Sequence, residues 1–155
     1  MKRIVLENIR SAHNVGAIFR TADAAGVNEL FLIGYTPCPI DRFGRIQKEI
    51  EKTSLGASTT MNWQHHETFT DIYPTLKSEQ SDIIAVEQSP HSVLLKAFVE
   101  PSSVTYVFGN EVEGVSPEVL EKADTILEIP MLGAKESLNV SVAVGVVLYH
   151  GVCSQ

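Results

Sequence analysis

Two short apolar runs, Lys2–Leu6 and Leu30–Ile33, are separated by one amphipathic stretch that closes at Gly26. Strand, helix, strand in that order leaves few arrangements open, since two parallel strands need a crossover of about a dozen residues or more and a helix supplies it. Within "HNVGAIFRTADAAGV", residues 13–27, Val15, Ile18, Phe19 and Ala22 recur at i, i+3, i+4 and i+7 and gather into a single apolar stripe. Arg20 falls roughly opposite that stripe, among Gly16, Ala17, Asp23 and Ala24. Most of these neighbours are too small to cover surface, so something large is expected to come close to this face.

The pattern continues down the chain. Further strands are predicted at Thr59–Trp63, Ile83–Glu87, Val104–Phe108 and Ile126–Ile129, with helical stretches between them, notably Glu67–Lys77 despite Pro74. Ser116-Pro117-Glu118 reads as a helix start, with a hydroxyl cap, proline in the first turn and a carboxylate at the positive dipole end. "SLNVSVAVGVVLYHGV" is too long for an ordinary strand in spite of its valines, so it reads as a helix capped by Ser137. Its surface is almost wholly apolar, which implies burial within the monomer or against a second copy. The fold class is α/β, a mainly parallel sheet flanked by helices, and residues 1–155 read as one domain with no appended RNA-binding domain.

Composition excludes several classes. No apolar run approaches the roughly 20 residues of a membrane span, and Glu7 interrupts any signal-peptide hydrophobic region. Cys38 and Cys153 are too few for a disulfide framework. A cytoplasmic location is expected. The net charge of −7 argues against simple electrostatic capture of nucleic acid. The charge is unevenly spread: residues 1–52 hold eight of the twelve Lys and Arg. The densest group, Arg42, Arg45, Lys48 and Lys52 with Phe43 interleaved, follows Pro37 and Pro39 in a stretch that reads as a loop.

Nucleotide-binding loops are missing. "GNEVEGV" spaces Gly109 and Gly114 like a P-loop but continues with Val115 where that loop needs lysine, and no GxGxxG follows a predicted strand. The five histidines make no zinc spacing with the cysteines, so no metal is expected. Three stretches remain that place polar residues at the end of an apolar segment: Asn14–Arg20, "VFGNEVEGVS", and "IPMLGAKESLNVS". Taken one by one, Asn14 and Ser137 read as caps, Arg20 as a surface arginine and Glu111 as a loop acid.

Taken together and in order, the three stretches resemble the sequence motifs of the SpoU/TrmH family of RNA ribose methyltransferases, within the SPOUT class. "NVGAIFRTADAAGV" resembles motif one, "FGNEVEGVS" motif two and "IPMLGAKESLNVSVAVGVVLYH" motif three; "KTSLGA" at 52–57 is also similar to a family stretch. The resemblance implies a carboxyl-terminal deep trefoil knot, S-adenosyl-L-methionine as cofactor, and a homodimer with its site near the interface. It places Asn14, Arg20, Glu111, Ser137 and Asn139 at catalytic positions. It places Phe108, Gly109, Asn110, Glu111, Ile129, Met131, Ser137 and Leu138 at the cofactor.

The chemistry agrees with that transfer. Methyl transfer to a ribose 2′-hydroxyl needs the nucleophile to lose a tightly held proton, and a guanidinium such as that of Arg20 suits charge stabilisation or a grip on phosphate better than proton abstraction. Ser137 and Asn139 suit orientation of the hydroxyl and the cofactor. RNA, transfer or ribosomal, is the expected partner, contacted by Arg10, Arg42, Arg45 and Lys48, with no membrane partner. The alternatives are a non-catalytic RNA-binding or partner subunit that keeps the fold, and a methyltransferase acting on small molecules.

Overall fold

Strands buried on both faces carry near-continuous apolar runs, and a sheet of such strands is covered by helices on each side. The computed structural model describes residues 1–153. Its single sheet holds β1 (Lys2–Glu7), β2 (Glu29–Ile33), β3 (Asn62–His66), β4 (Asp82–Val86), β5 (Val93–Leu94), β6 (Val104–Phe108) and β7 (Thr125–Glu128). The order across the sheet is β3-β2-β1-β6-β4-β7-β5, and every neighbouring pair is parallel. In the middle, Ile4 of β1 lies opposite Leu30 of β2 on one side and Tyr106 of β6 on the other.

The helices are α1 (Ala12–Ala24), α2 (Lys48–Ser54), α3 (Ala57–Thr60), α4 (Tyr73–Ser78), α5 (Pro117–Lys122) and α6 (Val140–Cys153). Alternate side chains of the strands feed two cores. Ile4, Leu6, Leu32 and Tyr106 pack with Ile18 and Phe19 of α1 and with Val144 and Val147 of α6. Val5, Phe31 and Val107 pack on the opposite face with Leu76 of α4 and Val119 of α5. The stripe read from the sequence of α1 is therefore its buried face: Val15, Ile18, Phe19 and Ala22 are all fully covered.

Several elements differ from the sequence reading. Residues 59 and 60 end α3, and the strand begins at Asn62, shifted toward the carboxyl end. The stretch 67–77 is two pieces: a single 3-10 turn at Phe69–Asp71, closed by reciprocal hydrogen bonds between Thr68 and Asp71, and then α4 with Pro74 in its first turn. Lys48 and Lys52 stand on α2 rather than in a loop. That helix also answers for Gly16: a Cβ there would lie 1.9 Å from Thr53 Oγ1 and 2.8 Å from the Ile50 carbonyl oxygen, so the chain's own α2 makes the close approach. Ser137 does not cap α6. Asn139 does, its Oδ1 accepting from the backbone N–H of Ser141 at 2.9 Å. Among the described residues no helix is long and apolar enough to cross a membrane.

Because all strands point the same way, the segments leaving β1, β2, β4, β6 and β7 emerge together at one edge of the sheet, the place where open parallel sheets bind ligands. They include all three polar stretches singled out from the sequence.

Candidate functional site

The segment after β6 is a tight loop. Gly114 has a φ of +74°, and a Cβ on Gly109 would sit 2.2 Å from the Gly114 carbonyl carbon and oxygen, so glycine is required at both ends of the turn. Asn110 is buried and holds the loop from within. Its Oδ1 accepts from the backbone N–H groups of Val112 at 2.8 Å and Glu113 at 3.0 Å, and its Nδ2 donates to the Asn8 carbonyl at 2.9 Å and to Tyr35 Oη at 2.6 Å. The side chain of Asn110 is thus fully engaged inside the protein, so any cofactor contact of this residue falls to its backbone. Glu7, at the end of β1 and only 6% exposed, accepts from the Ser116 N–H at 2.9 Å and the Ser116 hydroxyl at 2.7 Å. A buried carboxylate needs such partners, and here they fix where the loop rejoins α5.

Between this loop and the segment after β7 lies a cavity of about 490 Å³. All eight residues expected at the cofactor line it: Phe108, Gly109, Asn110, Glu111, Ile129, Met131, Ser137 and Leu138. The carboxyl end of β4 adds Val86, Glu87 and Gln88, which sequence reasoning missed. Their signal was available: β4 is a strand parallel to β6, and the residues ending neighbouring parallel strands share an edge. Glu87 braces the loop from below, its carboxylate accepting from the N–H of Gln88 at 2.7 Å and of Val115 at 3.0 Å.

The lining has a marked chemistry. Glu87, Glu111, Glu113 and Glu136 border the cavity, with no lysine or arginine among its lining residues, while Phe108, Ile129, Met131, Leu138, Val140 and Ala143 give it apolar walls. This suits a ligand that joins a flat apolar group to a centre of positive charge, and it disfavours a phosphate-bearing cofactor.

Three of the five residues expected to be catalytic are joined by hydrogen bonds. Asn14 Nδ2 donates to Glu111 Oε1 at 3.3 Å, and Asn139 Nδ2 donates to Asn14 Oδ1 at 3.2 Å. The backbone N–H of Arg10 also donates to Glu111 Oε2, at 3.3 Å. Asn14 therefore ties the first motif to the second and third. Ser137 is exposed on the cavity wall. Arg20 is not brought to these residues. It lies six positions beyond Asn14 on α1, about 9 Å along the axis and turned well away around it, and it lines a separate groove with His13, Lys52, Leu55 and Tyr149. Its side chain makes no hydrogen bond or ion pair among the described residues.

The four basic residues expected to contact RNA are exposed. Arg10 stands beside the cavity, Arg42 and Arg45 on the segment after β2, and Lys48 at the start of α2. Beyond the sheet edge, α6 buries Val140, Val144, Val147 and Leu148 but leaves Val142, Val146, Tyr149 and Val152 between 38% and 50% exposed. Their i, i+4, i+7, i+10 spacing makes one apolar stripe on the open side of the helix.

Comparison with known proteins places this arrangement. The model of the SpoU rRNA methylase family matches residues 1–149. The tRNA (guanosine(18)-2′-O)-methyltransferase of Escherichia coli is 31% identical over 147 residues, 95% of this chain but 61% of that protein. An S-adenosylmethionine-bound rRNA methyltransferase from Sinorhizobium meliloti superposes with a TM-score of 0.88 at 25% identity, covering 99% of this chain and 56% of the other. A structure described by its part in 2-OH methylation of C/U34 on tRNA superposes at 0.82 with 26% identity, and there the coverage is 100% of this chain and 98% of the other.

Proposed function

The chain belongs to the SpoU rRNA methylase family, and we propose that it transfers a methyl group from S-adenosylmethionine to a ribose 2′-hydroxyl of RNA, with tRNA as the leading substrate. The observation that carries this reading is the cavity between the 109–114 loop and the 129–138 segment, bordered by four carboxylates and no cation. S-adenosylmethionine brings a methyl group on a positively charged sulfur and an apolar adenine, and both halves suit that lining. Phe108, Ile129, Met131 and Leu138 are proposed to hold the adenine, the backbone of Gly109 and Asn110 to meet its polar edge, and Ser137 to orient the methionyl part. Glu111 presents its negative charge from a position set by Asn14 and Arg10.

Arg20 supplies the charge that the reaction needs at the other partner, stabilising the developing alkoxide or holding the adjacent phosphate. Its groove is separate from the cavity of its own protomer, so the working site is completed by a second copy. The exposed apolar stripe of α6 is the proposed homodimer surface, and Tyr149 belongs both to that stripe and to the Arg20 groove. The family resemblance adds the deep trefoil knot in the carboxyl-terminal part and a single methyltransferase domain over the chain. Arg10, Arg42, Arg45 and Lys48 are the proposed RNA contacts, and the protein is set in the cytoplasm beside its substrate.

The chain spans about three fifths of the E. coli relative's length. A solved neighbour of matching length is concerned with C/U34 of tRNA, which supports tRNA over rRNA and a pyrimidine at that position as the first nucleotide to examine. Incubation with methyl-labelled S-adenosylmethionine and purified tRNA or rRNA, followed by mapping of the label, tests the proposal. Label on a tRNA ribose is expected; label on neither RNA overturns it.

A further inference from the structure

We infer that the 40–46 loop is a landing place for an unpaired RNA base, with the ring of Phe43 as its stacking surface. This rests on the RNA reading above and adds a recognition element to it. Phe43 is 67% exposed, and Ile40 and Ile46 at the base of its loop are 48% and 59% exposed, so the ring belongs to an exposed apolar cluster rather than standing alone. The guanidinium groups of Arg42 and Arg45 lie 4.8 and 5.0 Å from its ring centre.

The loop is ordered before anything binds. Asp41 Oδ1 accepts from the backbone N–H groups of Phe43 at 2.8 Å and Arg45 at 2.9 Å, and its Oδ2 accepts from Arg45 Nε at 2.7 Å. Ile40 and Ile46 close the base of the loop as an antiparallel bridge. These bonds, the backbone N–H of Arg45 foremost, hold the Asp41 carboxyl below its ordinary pKa. A preordered loop loses little freedom on binding.

The two arginines are not equivalent. Arg45 is held by Asp41, whereas Arg42 has no carboxylate partner among the described residues. Arg42 is free to move from the ring to a phosphate and let a base take its place, with Lys48 available for the next phosphate. Bases within a duplex have their faces covered by their neighbours, so an exposed ring selects bases that are unpaired or splayed out.

The chain tethers the landing place to the reaction. The segment after β2 that carries the loop starts beside Tyr35, whose hydroxyl is held by Asn110 on the cavity wall. Eight residues from there to Phe43 reach at most roughly 29 Å, so the base that stacks belongs to the same stretch of RNA, within a few nucleotides of the methylated one.

The test compares Phe43→Ala, Phe43→Tyr and Arg42→Ala, using fluorescence anisotropy with an unstructured oligoribonucleotide, a stem–loop RNA and a blunt duplex across a salt series. Stacking of one base corresponds to roughly 5- to 100-fold in affinity. Phe43→Ala is expected to lose that much on the first two RNAs and little on the duplex, with its salt slope unchanged, while Phe43→Tyr stays within about twofold. Arg42→Ala is expected to lower the slope by about 0.7 on unpaired RNA. Equal losses on all three RNAs, no loss on any, or a fall in oligomeric mass in Phe43→Ala would overturn the inference while leaving the methylation proposal standing. Failure of the unaltered protein to bind any of the RNAs would overturn both.

Discussion

The two ends of α1 differ in nearly every physical respect. Asn14, in the first turn, is 9% exposed and hydrogen-bonded to both Glu111 and Asn139. Arg20, near the last turn, is exposed, its side chain makes no hydrogen bond or ion pair among the described residues, and it faces a groove shared with Tyr149 of α6. One end is finished inside the protomer, and the other is left waiting. A long cation held without a partner costs the fold little and contributes nothing to it. On the proposed reading its presence is explained by something that arrives from outside, whereas Asn14 is explained by what it already holds together.

That contrast breaks first at Arg20. Replacing Arg20 by Ala is expected to slow methyl transfer by on the order of 10²–10³, while cofactor affinity measured by calorimetry stays within a few fold and thermal stability does not fall. Arg20→Lys is expected to fail almost as badly, because an ammonium lacks the planar fork that serves two acceptors at once. A drop in melting temperature with Arg20→Ala would show that this end of the helix was holding structure after all.

The second effect falls on what approaches the open end. Val146→Asp puts a charge in the middle of the exposed α6 stripe, facing away from the core and from the cavity. Light scattering should give the mass of a dimer for the unaltered protein and of a monomer for the variant, and transfer should fall with the loss of the dimer. A monomer that retains full transfer would confine the reaction to a single protomer.

The closed end gives a smaller, different response. Asn14→Ala removes the link between Glu111 and Asn139, whose exposed side chains turn to water instead, for an expected loss of about 0.5–1.5 kcal/mol in chemical denaturation. Cofactor affinity should weaken along with stability, the reverse of the Arg20 pattern.

The smallest effect lies away from both ends. The Tyr106 hydroxyl is buried, donates to Glu100 at 2.7 Å, and has its pKa raised far above the ordinary 10.0, by burial first and by the Glu100 carboxylate second. A raised folded-state pKa gives stability that is complete below pH 10.0 and is lost as the pH climbs beyond it. Tyr106→Phe should flatten that alkaline decline without changing transfer. An unchanged slope above pH 10.0 would remove Tyr106 from the account.

The closed end was the more legible in the sequence, and the reason is physical. Apolar residues at helical spacing marked the buried face of α1, and continuous apolar runs marked β1, β2 and β6, because burial on both faces leaves no other pattern. The three polar stretches converge because parallel strands deliver their ends to one edge. What escaped was short or locally ambiguous. In α2, KEIEKTS, only Ile50 and Ser54 are buried, too few to print a stripe, and β5 is two residues at the sheet's edge. Ser137 and Asn139 are both good caps by type, and only the path of the chain before α6 selects Asn139. Small residues opposite the stripe of α1 suggested an outside visitor, but at Gly16 the visitor is α2. No periodicity could show that Arg20 and Glu111, both placed by motif, face different hollows.

The central claim is that Arg20 of one copy serves the cavity of another, and mixing subunits tests it most directly. One variant is Arg20→Ala. The other is Leu138→Arg, which puts a cation on an exposed cavity-lining position where a cationic cofactor is expected to sit. Each homodimer should be inactive. If the site is shared, a mixed dimer keeps one intact Arg20 opposite one intact cavity, and random pairing of equal amounts restores about a quarter of the unaltered activity. Recovery to that level is the predicted result; a mixture as inactive as its two components would contradict the account.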